Sequence, residues 1–95
     1  MPARDPDDIA AARQFDWVVG VNIRYWREVR EMSQAELAEC ANISDSQLSR
    51  IESGERSLTL QQGNAISKAL KVPLSALWAR IEGMKQNIVN VDSVL

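Results

Sequence analysis

The chain contains no histidine and a single cysteine, Cys40. Without histidine it can build neither a His–Cys zinc site nor a Ser–His or Cys–His nucleophile pair. One thiol cannot close an internal disulfide, which fits a reducing cytoplasm. Cys40 itself reads as a small helix residue rather than a redox sensor. The glycines stand apart, at 20, 54, 63 and 83, so no glycine-rich phosphate loop is available. No apolar run approaches the roughly 20 residues of a membrane-spanning helix. The opening MPARDPDD lacks the apolar stretch of a secretory signal. Carboxylate pairs such as Glu36/Glu39 and Glu52/Glu55 remain, but at this spacing they read as solvated helix faces. The expectation is a cytoplasmic chain that is not an enzyme and needs neither metal nor cofactor.

What is present fits one small domain. The 95 residues are 45% hydrophobic and 25% charged, close to ordinary globular usage. A core of that size is modest, and modest cores often lean on a second chain. The formal net charge of −2 is unevenly spread. Residues 1–16 carry −2, residues 17–80 carry +1 and residues 81–95 carry −1. The acidity therefore belongs to the ends. Binding to nucleic acid would depend on a local cationic face, because the whole chain does not supply one.

The organisation follows from helix punctuation. Residues 1–8 hold two prolines and three aspartates and read as a loosely held leader within an acidic extension, 1–15. From Ile9 the pattern is helical. Val18, Val19, Val21, Ile23, Tyr25, Trp26 and Val29 cover an arc of roughly 200° at helical spacing. A helix packed on one core needs an arc nearer 100°. This helix is therefore expected to pack on two things, the second being the IAAARQF segment or another subunit. Three capping boxes follow: Ser33 with Glu36, Ser44 with Gln47, and Thr59 with Gln62. They open helices ending near Ala41, Gly54 and Leu70. Pro73 suits the first position of a fifth helix. The domain is placed at 16–80, with a tail at 81–95. Leu74, Leu77, Ile81, Met84, Ile88, Val91 and Leu95 repeat like a heptad seam. Gly83 and the NIVNV run oppose it, so the tail reads as a dimer-forming helix, an exchanged strand or a frayed end.

The segment SQAELAECANISDSQLSRIESGER describes two capped helices joined by a short bend. Small Ala38 and Ala41 suit a close crossing, and Leu37, Ile43, Leu48 and Ile51 supply an inward face. Asn42 is the second choice, after glycine, for a left-handed bend residue. Together with Ile23, Trp26-Arg27, Met32-Ser33-Gln34, Leu48-Ser49, Ile51-Glu52, Gly54, Arg56, Ile66, Ala69-Leu70, Val72 and Leu77, this segment resembles the lambda-repressor/Cro-like, or Xre-type, helix-turn-helix domain. The resemblance runs over about Val19 to Trp78.

That resemblance implies an all-α fold of five helices, with the helix-turn-helix at the second and third. It also implies sequence-specific binding of double-stranded DNA by a homodimer on a near-palindromic operator, in a transcriptional regulator that is commonly a repressor. The third helix becomes the reading helix, placing Asp45, Ser46, Gln47 and Arg50 at the bases. The chemistry agrees: Arg50 can give two hydrogen bonds to guanine, Gln47 can pair with adenine, and Asp45 can accept from cytosine. Ser33, Gln34, Ser49, Arg56 and Ser57 are the implied phosphate contacts, and Gln34 is also expected to prop a reading-helix side chain. Arg27 and Glu52 are implied to form a structural ion pair. The alternative reading is an antitoxin, with a toxin partner, or an interaction module on the same fold that reads DNA weakly.

The chain departs from the family pattern in places. Glu31, Asn42 and Lys71 stand at turn positions that favour glycine. Glu and Lys cost more than Asn in the left-handed region, about 1 kcal/mol each, so some of these turns are expected to adopt another geometry. Gly63 stands where the family carries a large apolar residue, and Trp26 where it usually carries Leu. A paired exchange is expected, the indole filling the space over Gly63.

Overall fold

The computed structural model describes residues 6–79. Four α-helices run α1 Pro6–Val29, α2 Gln34–Ala41, α3 Asp45–Glu52 and α4 Leu60–Leu70, followed by a 3-10 turn, Leu74–Leu77. Among the described residues there is no strand, so the all-helical expectation stands. The fifth helix does not. Pro73 precedes a single turn closed by the Ala76 amide on the Pro73 carbonyl at 2.9 Å. The physical reason lies on α1. Asn22, 2% exposed, donates through Nδ2 to the carbonyls of Leu77 and Ala79, both at 2.8 Å. Those carbonyls would otherwise accept from the next turn of a longer helix. The heptad positions beyond Leu77 lie outside the described residues.

α1 begins at Pro6, earlier than the hydrophobic pattern indicates, so the IAAARQF segment is part of the same helix and cannot be its second packing partner. Proline is favoured in a first turn because its missing amide has no partner to lose there. Of the wide apolar arc, Val19 and Ile23 enter the core and Trp26 packs half-buried against it. Phe15, Trp17, Tyr25 and Val29 remain exposed. The core joins these α1 residues to Leu37, Ala38 and Ala41 of α2, Leu48 and Ile51 of α3, Ile66 and Leu70 of α4, and Leu77. Each fully buried Leu or Ile contributes about 1.5–3 kcal/mol.

All three capping boxes form. Ser33, Ser44 and Thr59 accept the amides of Glu36, Gln47 and Gln62 at 3.0 Å, and those side chains return to the cap amides at 2.7–3.1 Å. The helix ends are equally uniform. Glu31, Asn42 and Lys71 all take the left-handed conformation, with φ of 57°, 58° and 60°. The expected change of geometry at Glu31 and Lys71 does not occur. In each turn the left-handed residue donates to the carbonyl three back, and the next residue donates five back: Met32 to Arg27, Ile43 to Ala38, Val72 to Ser67, each at 3.0 Å. These are Schellman closures, and the residue after each bend is apolar and packs on the core. Satisfied carbonyls and that apolar contact offset the left-handed penalty. At α4, Arg30 adds Nε to the Leu70 carbonyl at 2.7 Å, a cation on the negative end of a helix.

The expected exchange between Trp26 and Gly63 is also corrected. The atoms nearest a Cβ built on Gly63 belong to Leu58, at 3.1 Å, and Leu74, at 3.3 Å. Two leucines, one from the loop before α4 and one from the 3-10 turn after it, fill that space. Trp26 instead stacks edge-on against Tyr25, with the Arg30 guanidinium 5.5 Å from its ring. Its buried Nε1 has no hydrogen-bond partner.

Candidate nucleic-acid interface

α3 divides its side chains cleanly. Leu48, Ile51 and Glu52 face inward and are buried. Asp45, Ser46, Ser49 and Arg50 are exposed, and Gln47 is half-buried. The helix therefore presents its first turn and Arg50 as one outward surface, as implied for a reading helix. Arg50 makes no ion pair or side-chain hydrogen bond among the described residues. Glu52, one candidate partner for it, is committed to Arg27, and the Glu36 carboxylate closes its own helix cap. Arg56 is exposed and similarly unpaired among the described residues.

Behind this surface lies the expected ion pair. Arg27 Nε donates to Glu52 Oε2 at 2.7 Å and Nη2 to Oε1 at 3.1 Å, a bidentate arrangement. The side chains are 12% and 3% exposed. Hydrogen bonding to Glu52 holds the Arg27 pKa above its ordinary value, against the lowering effect of burial. Arg27 Nη1 donates to the Met32 carbonyl at 2.8 Å, and Gln34 Nε2 donates to Glu52 Oε1 at 3.0 Å. Gln34 thus props a residue of α3, and one cluster ties α1, the turn after it, α2 and α3 together.

Two implied contacts are otherwise engaged. Ser57 donates its hydroxyl to Asp16 Oδ2 at 2.7 Å, so a carboxylate from α1 stands where a phosphate was expected. Gln47 turns its Oε1 back to the Ser44 amide at 3.1 Å, closing the cap of α3. Ser33 is exposed at the start of α2, with its hydroxyl oxygen accepting the Glu36 amide. The exposed surface of α2, α3 and the turn after it carries Arg50, Arg56, Glu36, Asp45 and Glu55. Its charge is mixed.

Two positioning residues escape a search for polar chemistry. A Cβ built on Gly20 would lie 2.5 Å from the carbonyl oxygens of both Ile51 and Glu52. Only glycine lets α1 approach the end of α3 so closely. The signal in the sequence is a glycine inside an otherwise helical, apolar run. Asn22 is the other. A polar residue on the inward arc of α1 marks it, but its partners, two carbonyls 55 and 57 residues away, are set only by the fold.

Two short helices joined by the left-handed bend at Asn42, each with one face in the core and the second displaying its outer face, define a helix-turn-helix protein. The helix-turn-helix family model designated HTH_3 matches residues 23–77. The chain belongs to this family of DNA-binding transcription regulators. A search of curated proteins finds no match. Among solved structures, the chain is similar to the restriction-modification controller protein C.AhdI from Aeromonas hydrophila, with 24% identity, a TM-score of 0.64, and coverage of 65% of this chain and 94% of that one. It is also similar to the clp gene regulator ClgR from Corynebacterium glutamicum, with 22% identity, a TM-score of 0.65, and coverage of 66% and 67%. A hypothetical transcription factor, NHTF, from Neisseria matches over 94% of this chain and 97% of its own, with 22% identity and a TM-score of 0.70. At these identities the likeness is one of fold. No described helix is long and apolar enough to cross a membrane.

Proposed function

We propose that the chain is a transcriptional regulator, acting as a repressor, that binds a near-palindromic duplex operator as a homodimer. The observation that carries this is the unpaired, exposed Arg50 on the outward face of α3, with the Arg27–Glu52–Gln34 cluster fixing the helix from behind. A guanidinium free of internal partners can place its two-donor edge on guanine O6 and N7. Asp45, Ser46 and Gln47 complete the base-facing turn. Ser33, Gln34, Ser49 and Arg56 are proposed at phosphates. Ser57 belongs with them only if DNA displaces Asp16. The exposed Phe15, Trp17, Tyr25 and Val29 on α1 support contact with a second chain.

A second reading rests on the mixed charge of the same surface and on that apolar α1 face: an antitoxin or interaction module whose main partner is a protein such as a toxin. Selection of bound duplexes from a random pool separates the two. A regulator enriches one motif, and its affinity for that motif falls as salt rises, because each Arg or Lys that neutralises a phosphate releases a counterion condensed on the DNA. Arg50→Ala should relax one position per half-site and cost about 1–3 kcal/mol there. No enrichment, or a motif unchanged by Arg50→Ala, would refute the regulator reading or Arg50's part in it respectively.

A further inference from the structure

Gln47 is asked to perform two tasks with one amide. Its Oε1 accepts the Ser44 backbone amide at 3.1 Å, and the Gln47 backbone N–H donates to Ser44 Oγ at 3.0 Å. This reciprocal box satisfies two of the amides that a helix start leaves without partners. Nε2 meets no acceptor in the described protein, and it is not among the buried atoms lacking a partner, so it opens to solvent. A glutamine reading adenine must present both ends, Oε1 accepting from N6 and Nε2 donating to N7. Here the accepting end is turned away from the groove. Pairing with adenine would open the cap and strand the Ser44 amide at the root of the reading helix.

We propose that Gln47, on the DNA-reading surface advanced above, acts as a donor-only residue that selects guanine in place of adenine. Its free end is Nε2, which carries two hydrogens and accepts nothing, while Oε1 is engaged by the Ser44 amide. Guanine offers two major-groove acceptors, O6 and N7, whereas adenine opposes the amide with the N6 donor. Thymine offers one acceptor and cytosine a donor. Arg50 lies three residues on and is also a pure donor, and residues three apart share one helix face. The two donors are therefore matched to guanines at neighbouring positions of a half-site. Asp45, an exposed acceptor in the first turn, suits the N4 amine of cytosine, the group that G·C pairs present on the opposite strand. All three side chains favour G·C pairs beneath the start of α3.

The test is the duplex selection run in parallel on the wild type and on Gln47→Glu. The glutamate keeps the oxygen that closes the cap, and a carboxylate suits the positive start of a helix. Its thermal midpoint should match or exceed that of the wild type, so a folding defect would be visible separately. The wild type should select guanine at the Gln47 position by on the order of tenfold over adenine. Gln47→Glu should lose that preference, or exchange it for cytosine, while the position read by Arg50 stays unchanged. Adenine selected by the wild type would overturn the assignment, and so would an identical motif from Gln47→Glu. A wild type that enriches no duplex would overturn the DNA reading itself and this assignment with it.

Discussion

Removing the Glu52 carboxylate is the most informative single change to the scaffold. Three donors converge on it: Arg27 Nε at 2.7 Å, Arg27 Nη2 at 3.1 Å and Gln34 Nε2 at 3.0 Å. In Glu52→Ala the Arg27 guanidinium, 12% exposed, keeps only the Met32 carbonyl, at 2.8 Å. Gln34 Nε2 loses its acceptor. Leaving one member of a buried pair uncompensated costs about 3–5 kcal/mol. A chain of this size holds roughly 5–14 kcal/mol in total, so the variant is expected near the edge of stability. Urea denaturation followed by circular dichroism measures the loss. With a slope of about 1–1.5 kcal/mol per molar, the midpoint should fall by roughly 2–5 M. Glu52→Gln retains an acceptor for Gln34 and should fall between Glu52→Ala and the wild type. Arg27→Met combined with Glu52→Leu should recover much of the loss, because an apolar pair carries no desolvation penalty. Glu52→Ala within about 1 kcal/mol of wild type at an unchanged slope would refute the reasoning, since the pair would then behave like an exposed one.

Two further perturbations probe the backbone. Gly20→Ala drives a methyl to 2.5 Å from two carbonyl oxygens at the end of α3. It should cost about 1–3 kcal/mol or more and weaken duplex binding beyond the loss of folded protein; a melt equal to wild type would show that α1 can retreat freely. Lys71→Gly relieves a left-handed lysine at φ 60° and should raise stability by up to about 1 kcal/mol, read as a higher thermal midpoint. A drop instead would mean that glycine's larger unfolded-state entropy outweighs the relieved strain.

What the sequence made legible was punctuation. Ser33, Ser44 and Thr59, each with Glu or Gln three residues on, mark helix starts because the capping chemistry is local and complete within four residues. Asn42 at the bend and the Arg27–Glu52 pair were legible through the family resemblance. Contacts depending on distant segments were not. Nothing near Asn22 announces the carbonyls of Leu77 and Ala79, so the shortening of the fifth helix to one turn was hidden. Gly63 suggested a gap, but which side chains fill it depends on loops whose course only the fold determines. Residue preference alone makes Glu31 and Lys71 unfit for left-handed turns; the closing backbone hydrogen bonds, set by the fold, hold them there. At the interface, the outward placement of Asp45, Ser46 and Arg50 was legible through the family resemblance. The hold of Asp16 on Ser57 was not, since it joins residues 41 apart.

The glycine contact between α1 and α3 also bears on how this surface can change. The carbonyls of Ile51 and Glu52 rest against the backbone of α1 at Gly20, and the Arg27–Glu52–Gln34 cluster lies on the same hidden side. Among the described residues, Ser46, Ser49 and Arg50 form no side-chain hydrogen bond to the scaffold. On the proposed reading role, and apart from Gln47, which also closes the cap, seating and reading thus fall on opposite sides of an eight-residue helix. If this face reads DNA as proposed, exchanging Ser46, Ser49 or Arg50 leaves the mount intact, so new target sequences are reachable by few substitutions and without re-engineering the fold.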